Sequence, residues 1–287
     1  MKKIILFYLI CLFGIFIVFS QLDQKSDYVI ERKLWKIHKK YVEIAQDPST
    51  ISSEHFEKVI KQYERIIASY PSSRLIKGVE LLIAELYTFK KDYAKAREKY
   101  AFIQEHYSAD QELVAEAIFR VGKTYELEGH WPQALQIYLS LQDQHPLTAV
   151  GLSTPVYIAN NYSRKNMLRE TMDAYEKAIV FYRKIAAEHP NSRFEFDALR
   201  YLANCFLDQN RWGEALETLE AALLEYNTPE YLNEKRVGVM IHTISIISDT
   251  RVHDKNRAVL IYEKFLEANP GHPFKKYFLD AIASLKK

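Results

Sequence analysis

One short framework recurs six times along the 287-residue chain, and it constrains the fold more than any other feature. Each copy ends in an aromatic residue, His or Asn, followed by Pro or a stand-in. The copies are Tyr70-Pro71, Tyr107-Ser108, His145-Pro146, His189-Pro190, Tyr226-Asn227 and Asn269-Pro270, at spacings of 37, 38, 44, 37 and 43 residues. Twelve residues before the Pro position stand Val59, Ala96, Ala134, Ala178, Ala215 and Ala258. Eight before it stand Tyr63, Tyr100, Tyr138, Tyr182, Leu219 and Tyr262, and five before it Ile66, Ile103, Leu141, Ile185, Ala222 and Phe265. These offsets share one face of a helix. The small residue lets a partner helix approach closely, and the aromatic fills the gap between the two. A repeat of this period means an array of stacked helical units.

Three copies also show a preceding first helix on the same logic: Ile83, Ala84 and Tyr87; Val121, Gly122 and Tyr125; Leu202, Ala203 and Phe206. Trp131 and Trp212 open second helices, and Pro132 falls at a first-turn position where a missing N–H costs nothing. At these residues the chain, from residue 53 onward, resembles the tetratricopeptide repeat (TPR) family. Its stretched spacing, with loops 70–74 and 189–193, is similar to that of bacterial-envelope TPR proteins, such as those of outer-membrane β-barrel assembly and the Tol–Pal system. The resemblance implies an all-α fold: a right-handed superhelix of about six stacked antiparallel helix pairs, closed by a C-terminal capping helix.

Two units depart from the pattern. In the fourth, Pro155-Val156-Tyr157-Ile158-Ala159 and Tyr162 read as a first helix capped by Thr154. Tyr162 lies 16 residues before Ala178, whereas the equivalent separation is 9 in the second, third and fifth units. The second helix of this unit, beginning near Lys165 or Asn166, is therefore expected to be about two turns too long and to project. The sixth unit carries an insertion, residues 250–256, between its helices. Residues 21–52 read as a leading helical segment with Trp35, Ile37 or His38, and Tyr41 in helical spacing. The array spans 53–270. Residues 271–287 form the cap, with Tyr277, Phe278, Ala281, Ile282 and Leu285 as its apolar positions.

Lys2-Lys3 followed by the uncharged stretch 4–19 has the layout of a secretory signal. Val18-Phe19-Ser20 would place cleavage before Gln21; the competing reading is a retained membrane anchor. Either places the repeats outside the cytoplasm, in the periplasm or facing it from the inner membrane. Membrane contact is confined to residues 4–19, and only if the segment stays uncleaved. Cys11 is preceded by Tyr8-Leu9-Ile10, which does not suit lipidation.

The net charge is +2 with no long basic block, so nucleic acid is not indicated. Of the two cysteines only Cys205 survives cleavage, and it falls among core positions, as a packed small side chain. His145 and His189 occupy the turn position before Pro in separate units and do not converge as metal ligands need to. His253 and His272 lie in loops without a ligand pattern. No catalytic, cofactor or metal motif is present in the sequence, so no enzymatic activity is expected.

The resemblance implies that partners bind in an inner groove lined by the first helices. The matching positions are Leu81, Leu82, Glu85, Thr88 and Phe89; Phe119, Arg120, Lys123, Glu126 and Leu127; and Arg200, Tyr201, Asn204, Leu207 and Asp208. The strongest candidates are Leu81, Glu85, Phe89, Phe119, Arg120, Lys123, Arg200, Tyr201 and Asn204. The Lys/Asn/Arg carboxylate clamp of chaperone-binding relatives does not carry over, because Lys123, Arg120 and Asn204 sit in different units at unmatched positions. The expected function is a non-catalytic scaffold of the cell envelope that binds other proteins or peptides. The alternatives are a membrane-tethered accessory subunit of an inner-membrane complex, or a substrate-holding accessory of an envelope enzyme or transport system.

Overall fold

A computed structural model describes residues 27–228 and 230–287. The signal or anchor stretch 4–19 and Cys11 lie outside them. The described residues form thirteen α-helices and no strand. They fall into two compact units, divided after Leu141.

The first unit holds α1 (Asp27–Gln46), α2 (Ser53–Ser69), α3 (Ile76–Phe89), α4 (Tyr93–His106), α5 (Gln111–Leu127) and all but the last three residues of α6 (Trp131–Gln144). The second holds α7 (Ala149–Arg164), α8 (Leu168–Glu188), α9 (Arg193–Asp208), α10 (Trp212–Glu225), α11 (Glu234–Ile246), α12 (Lys255–Ala268) and α13 (Lys275–Leu285). Within each unit a helix packs on its neighbour in sequence. First helices also meet each other, as α1 with α3 and α7 with α9.

The recurring triad is the core of each pair. Val59, Ala96, Ala134, Ala215 and Ala258 are completely buried, and Ala178 is 1% exposed. The residues four positions on, from Tyr63 to Tyr262, and those seven on, from Ile66 to Phe265, are all buried as well. Four of the five tyrosines bond back to the first helix of their own pair. Tyr182 donates to the Leu152 carbonyl (2.7 Å), Tyr262 to that of Ile241 (2.8 Å), and Tyr138 to the Glu126 carboxylate (3.1 Å). The Tyr100 hydroxyl lies 3.4 Å from that of Thr88. Burial raises the ionisation of Tyr100, Tyr182 and Tyr262, to about 12 for Tyr100 and Tyr262.

The turn inside every pair but the first also repeats. Lys91, Gly129, Asn166, Asn210 and His253 all have φ between 55° and 82° and stand two residues before a second helix. The next amide, of Asp92, His130, Met167 or Arg211, donates at 2.8–3.1 Å to the carbonyl of Tyr87, Tyr125, Tyr162 or Phe206. This is the left-handed helix stop that caps orphan carbonyls. The turns between pairs follow the aromatic–Pro signature. Tyr70, Tyr107, His189, Tyr226 and Asn269 are C-cap residues with φ of −107° to −138°. Tyr70, His189 and Asn269 precede Pro, which steers them out of the α region so that each helix stops there.

Several details differ from the sequence reading. The cap of α7 is Thr148, whose hydroxyl accepts from the Gly151 amide, not Thr154. Thr154 is buried mid-helix and its hydroxyl returns to the Val150 carbonyl at 2.6 Å. That leaves Pro155 inside α7, where the sequence reading had it near the start. The α8 helix starts at Leu168, later than expected. It still has 21 residues where α4, α6, α10 and α12 have 14, and Leu168 and Met172 near its start are 78% and 64% exposed. The insertion of the sixth pair is largely helical: α11 continues into a π turn over Ile247–Arg251. In α1 the buried face is Ile30, Ile37 and Ile44, while Trp35 is exposed beneath the Lys39 ammonium, 3.7 Å from the ring centre. The α1 helix is thus the first helix of the first pair rather than a separate leader. In α13 Phe278 and Ile282 are the buried positions, and Tyr277 is exposed.

Two glycines test this geometry. A Cβ on Gly122 would lie 2.4 Å from the Tyr138 ring, so Gly122→Ala is expected to cost about 1–3 kcal/mol in urea unfolding. Gly129 has open space around it and only its positive φ to protect, so Gly129→Ala is expected to cost about 1 kcal/mol. The converse change, His253→Gly, is expected to stabilise. Equal, negligible effects at all three positions would contradict the assigned pairing and turns.

Candidate functional site

In the first unit a cavity of about 410 Å³ opens between α3, α4 and α5 beside the end of α1. Its walls include Glu85, Thr88 and Phe89 from α3, Tyr93 and Tyr100 from α4, and Arg120, Lys123 and Leu127 from α5. Asp47, Pro48 and Ser49 close it from the 3-10 turn after α1, and Lys91 from the turn after α3. These side chains converge for a periodic reason. Glu85, Thr88 and Phe89 lie three to four residues apart on α3, as do Arg120, Lys123 and Leu127 on α5.

Charge in the cavity is largely compensated. Arg120 pairs with Glu85 and, at 2.6 Å, with Glu116. Glu85 is 8% exposed and also accepts from the Tyr41 hydroxyl at 2.5 Å. Burial works against the charge of Arg120, but the two carboxylates hold its ionisation above the ordinary value. Burial, and then the bond to Glu85, raises that of Tyr41. Lys123 lies 3.3 Å from Glu126. Apolar surface remains on offer: Leu127 is 54% exposed, and Phe89, half-buried, tilts against Tyr41 with centroids 6.1 Å apart.

Of the residues expected to line the groove, the structure brings Glu85, Thr88, Phe89, Arg120, Lys123 and Leu127 to this one cavity. Leu81 is half-buried against the first unit's core. Phe119 packs its ring on Tyr138 at 5.2 Å. In the second unit Tyr201 stacks on Tyr182 (5.3 Å, 11°), Asn204 is exposed, and Arg200 lines a separate small pocket. Tyr41, Asp47, Ser49, Lys91, Tyr93 and Tyr100 were not foreseen. Reading Ile30, Ile37 and Ile44 as the buried stripe of a first helix would have put Tyr41 beside α3.

Cys205 is fully buried, and burial pushes its thiol up to about 12, far from a reactive thiolate. His272 is buried and ringed by Phe265, Phe274 and Phe278, with its ionisation lowered by burial. Among the described residues no group of three His, Cys, Asp or Glu side chains could hold a metal ion. Among them, too, no helix is long and apolar enough to cross a membrane.

Residues 116–148 and 171–233 match family models of the tetratricopeptide repeat. Among solved structures, the chain is similar to the TPR2AB domain of yeast Sti1 in its pHSP90 complex, at 9% identity and a TM-score of 0.33, covering 91% of this chain and 100% of that one. It is also similar to a tetratricopeptide repeat protein from Parabacteroides merdae, at 12% identity and a TM-score of 0.35, with 89% and 100% covered. The apo quorum sensor NprR of B. thuringiensis matches at 13% identity and a TM-score of 0.35, with 98% and 85% covered. No curated protein matches.

The Tyr41–Glu85–Arg120–Glu116 network holds the cavity wall, and its breakage should be measurable. Arg120→Met leaves Glu85 buried without its cation and is expected to cost about 1–3 kcal/mol. Adding Glu85→Met to it should recover part of that loss in urea unfolding. A double variant weaker than the sum of the single ones would contradict the coupling.

Proposed function

We propose that the chain is a non-catalytic scaffold that binds partner proteins through the cavity between α3, α4 and α5. The observation that carries this reading is the composition of that cavity: a mostly apolar floor of Phe89, Tyr100 and Leu127, with Lys91 and Lys123 at its polar edge. Such a mixture suits a peptide side chain entering beside its own backbone. Catalysis would need an unpaired base or nucleophile, whereas Glu85 and Arg120 are spent on each other. The tetratricopeptide repeats of residues 116–148 and 171–233 favour protein partners in general.

The setting we propose is the cell envelope, with Lys2-Lys3 and the uncharged stretch 4–19 directing export or anchoring the chain in the inner membrane. An anchored chain would suit an accessory subunit that gathers an inner-membrane complex. These proposals predict that protease added to spheroplasts digests the repeats, and that cross-linking in the envelope fraction captures partners. Phe89→Ala with Leu127→Ala should abolish capture while the chain stays folded with a modest loss of melting temperature, since Leu127 is exposed and Phe89 only half-buried at the edge of the first unit's core. A folded double variant that captures the same partners overturns the cavity as the binding site. Protection from protease in spheroplasts overturns export.

A further inference from the structure

The second unit has a pocket of different character. It is about 270 Å³ and is lined by Arg200 from α9 and by Asn233, Lys235, Arg236, Val239 and Met240 at the start of α11. Three of its six lining residues are cations and none is an acid. Two of them are fixed in place. The guanidinium carbons of Arg200 and Arg236 lie 5.7 and 5.5 Å from the centre of the fully buried Phe196 ring. Arg236 also donates to the Tyr231 carbonyl at 2.9 Å.

Of the nearby acids, Asp197 pairs with the pocket's own Arg200 (2.9 Å) and with Arg193 (3.5 Å), which leaves Lys235 and Arg236 as the pocket cations without a carboxylate. Glu195 accepts from the Tyr226 hydroxyl and, at 2.6 Å, from the Asn191 amide, and Glu234 accepts from the Tyr277 hydroxyl. Among the described residues Lys235 and Arg236 form no ion pair with a carboxylate. This contrasts with the first unit, where Glu85 and Glu116 compensate Arg120.

Held guanidinium groups with donors to spare match the planar oxygens of a carboxylate. Beside them Val239, 58% exposed, and Met240 supply an apolar wall. We propose that this pocket binds a partner segment in which an acidic side chain stands next to an apolar one, the carboxylate meeting Arg200, Lys235 and Arg236 and the apolar side chain covering Val239. The proposal rests on the reading of the array as a peptide binder but not on the first unit's cavity.

The test uses the full chain in detergent micelles, with a fluorescein-labelled peptide of alternating Leu and Glu followed by anisotropy and inorganic phosphate as competitor. The peptide is expected to bind more tightly than phosphate, and more weakly as salt is raised. Lys235→Glu is expected to weaken it by about tenfold or more, the loss of one charge-assisted contact. Val239→Ser should weaken the peptide and leave phosphate unchanged. Lys184→Glu, an exposed reversal on α8, serves as the control for general charge and should change little. Circular dichroism confirms that each variant is folded. Absence of peptide binding, equal losses in Lys235→Glu and Lys184→Glu, or phosphate binding as tightly as the peptide would each overturn the proposal. Its failure leaves partner capture through Phe89 and Leu127 untouched, and the reverse also holds.

Discussion

Everything in this fold depends on one contact repeated along the chain: a small residue and an aromatic, four apart on the second helix of a pair, seated against the first helix. Ala96 with Tyr100, Ala134 with Tyr138, Ala178 with Tyr182 and Ala258 with Tyr262 are the clearest cases, all buried. The small residue sets how near the helices come, and the phenol then spans the gap and ends on a polar group of the facing helix. A Tyr is the natural choice because its ring supplies apolar area while its hydroxyl can satisfy a buried carbonyl. Once that spacing is set, first helices are left side by side. Their outward residues then form the walls in which the candidate sites lie.

The same contact explains where tolerance ends. At Gly122 the Tyr138 ring occupies the volume that Ala84 and Ala203 fill with a methyl group in their own pairs. The third pair is therefore packed closer than the framework requires, next to the cavity that holds Arg120 and Lys123. The turns add a second constraint. A left-handed residue before the second helix of every pair but the first is supplied by Lys, Gly, Asn or His, so the backbone demand is constant while its chemical solution varies.

Much of this was legible in the sequence because repetition multiplies a weak signal. The core positions from Val59 to Phe265 follow from offset alone, and the surplus length of α8 follows from the interval between Tyr162 and Ala178. Other features have no periodic signature. Thr154 looked like a cap because Pro155 follows it, yet the chain had already entered the helix at Thr148. Trp35, Ile37 or His38, and Tyr41 stood out in helical spacing, while Ile30, Ile37 and Ile44 carry the buried stripe of α1. The site was legible only in part. Helix periodicity groups Glu85 with Phe89 and Arg120 with Lys123, but only packing shows that Tyr41 and the turn 47–49 close the same cavity. Nor does periodicity reveal that Arg120 is neutralised while Arg236 is not.

The most direct test of the central contact is ionisation of its phenols. Burial raises Tyr63, Tyr100, Tyr182 and Tyr262 above the ordinary phenol value, to about 12 for Tyr100 and Tyr262. A proton held more tightly in the folded state stabilises it below the unfolded value of about 10, and that stabilisation is lost as pH rises through the folded values. Absorbance at the phenolate band, followed with helical circular dichroism across alkaline pH, should show the exposed tyrosines titrating first. A group that ionises only together with loss of helix should follow. If all tyrosines titrated together near the ordinary value with the helices intact, the buried Tyr contact could not be what holds the pairs together.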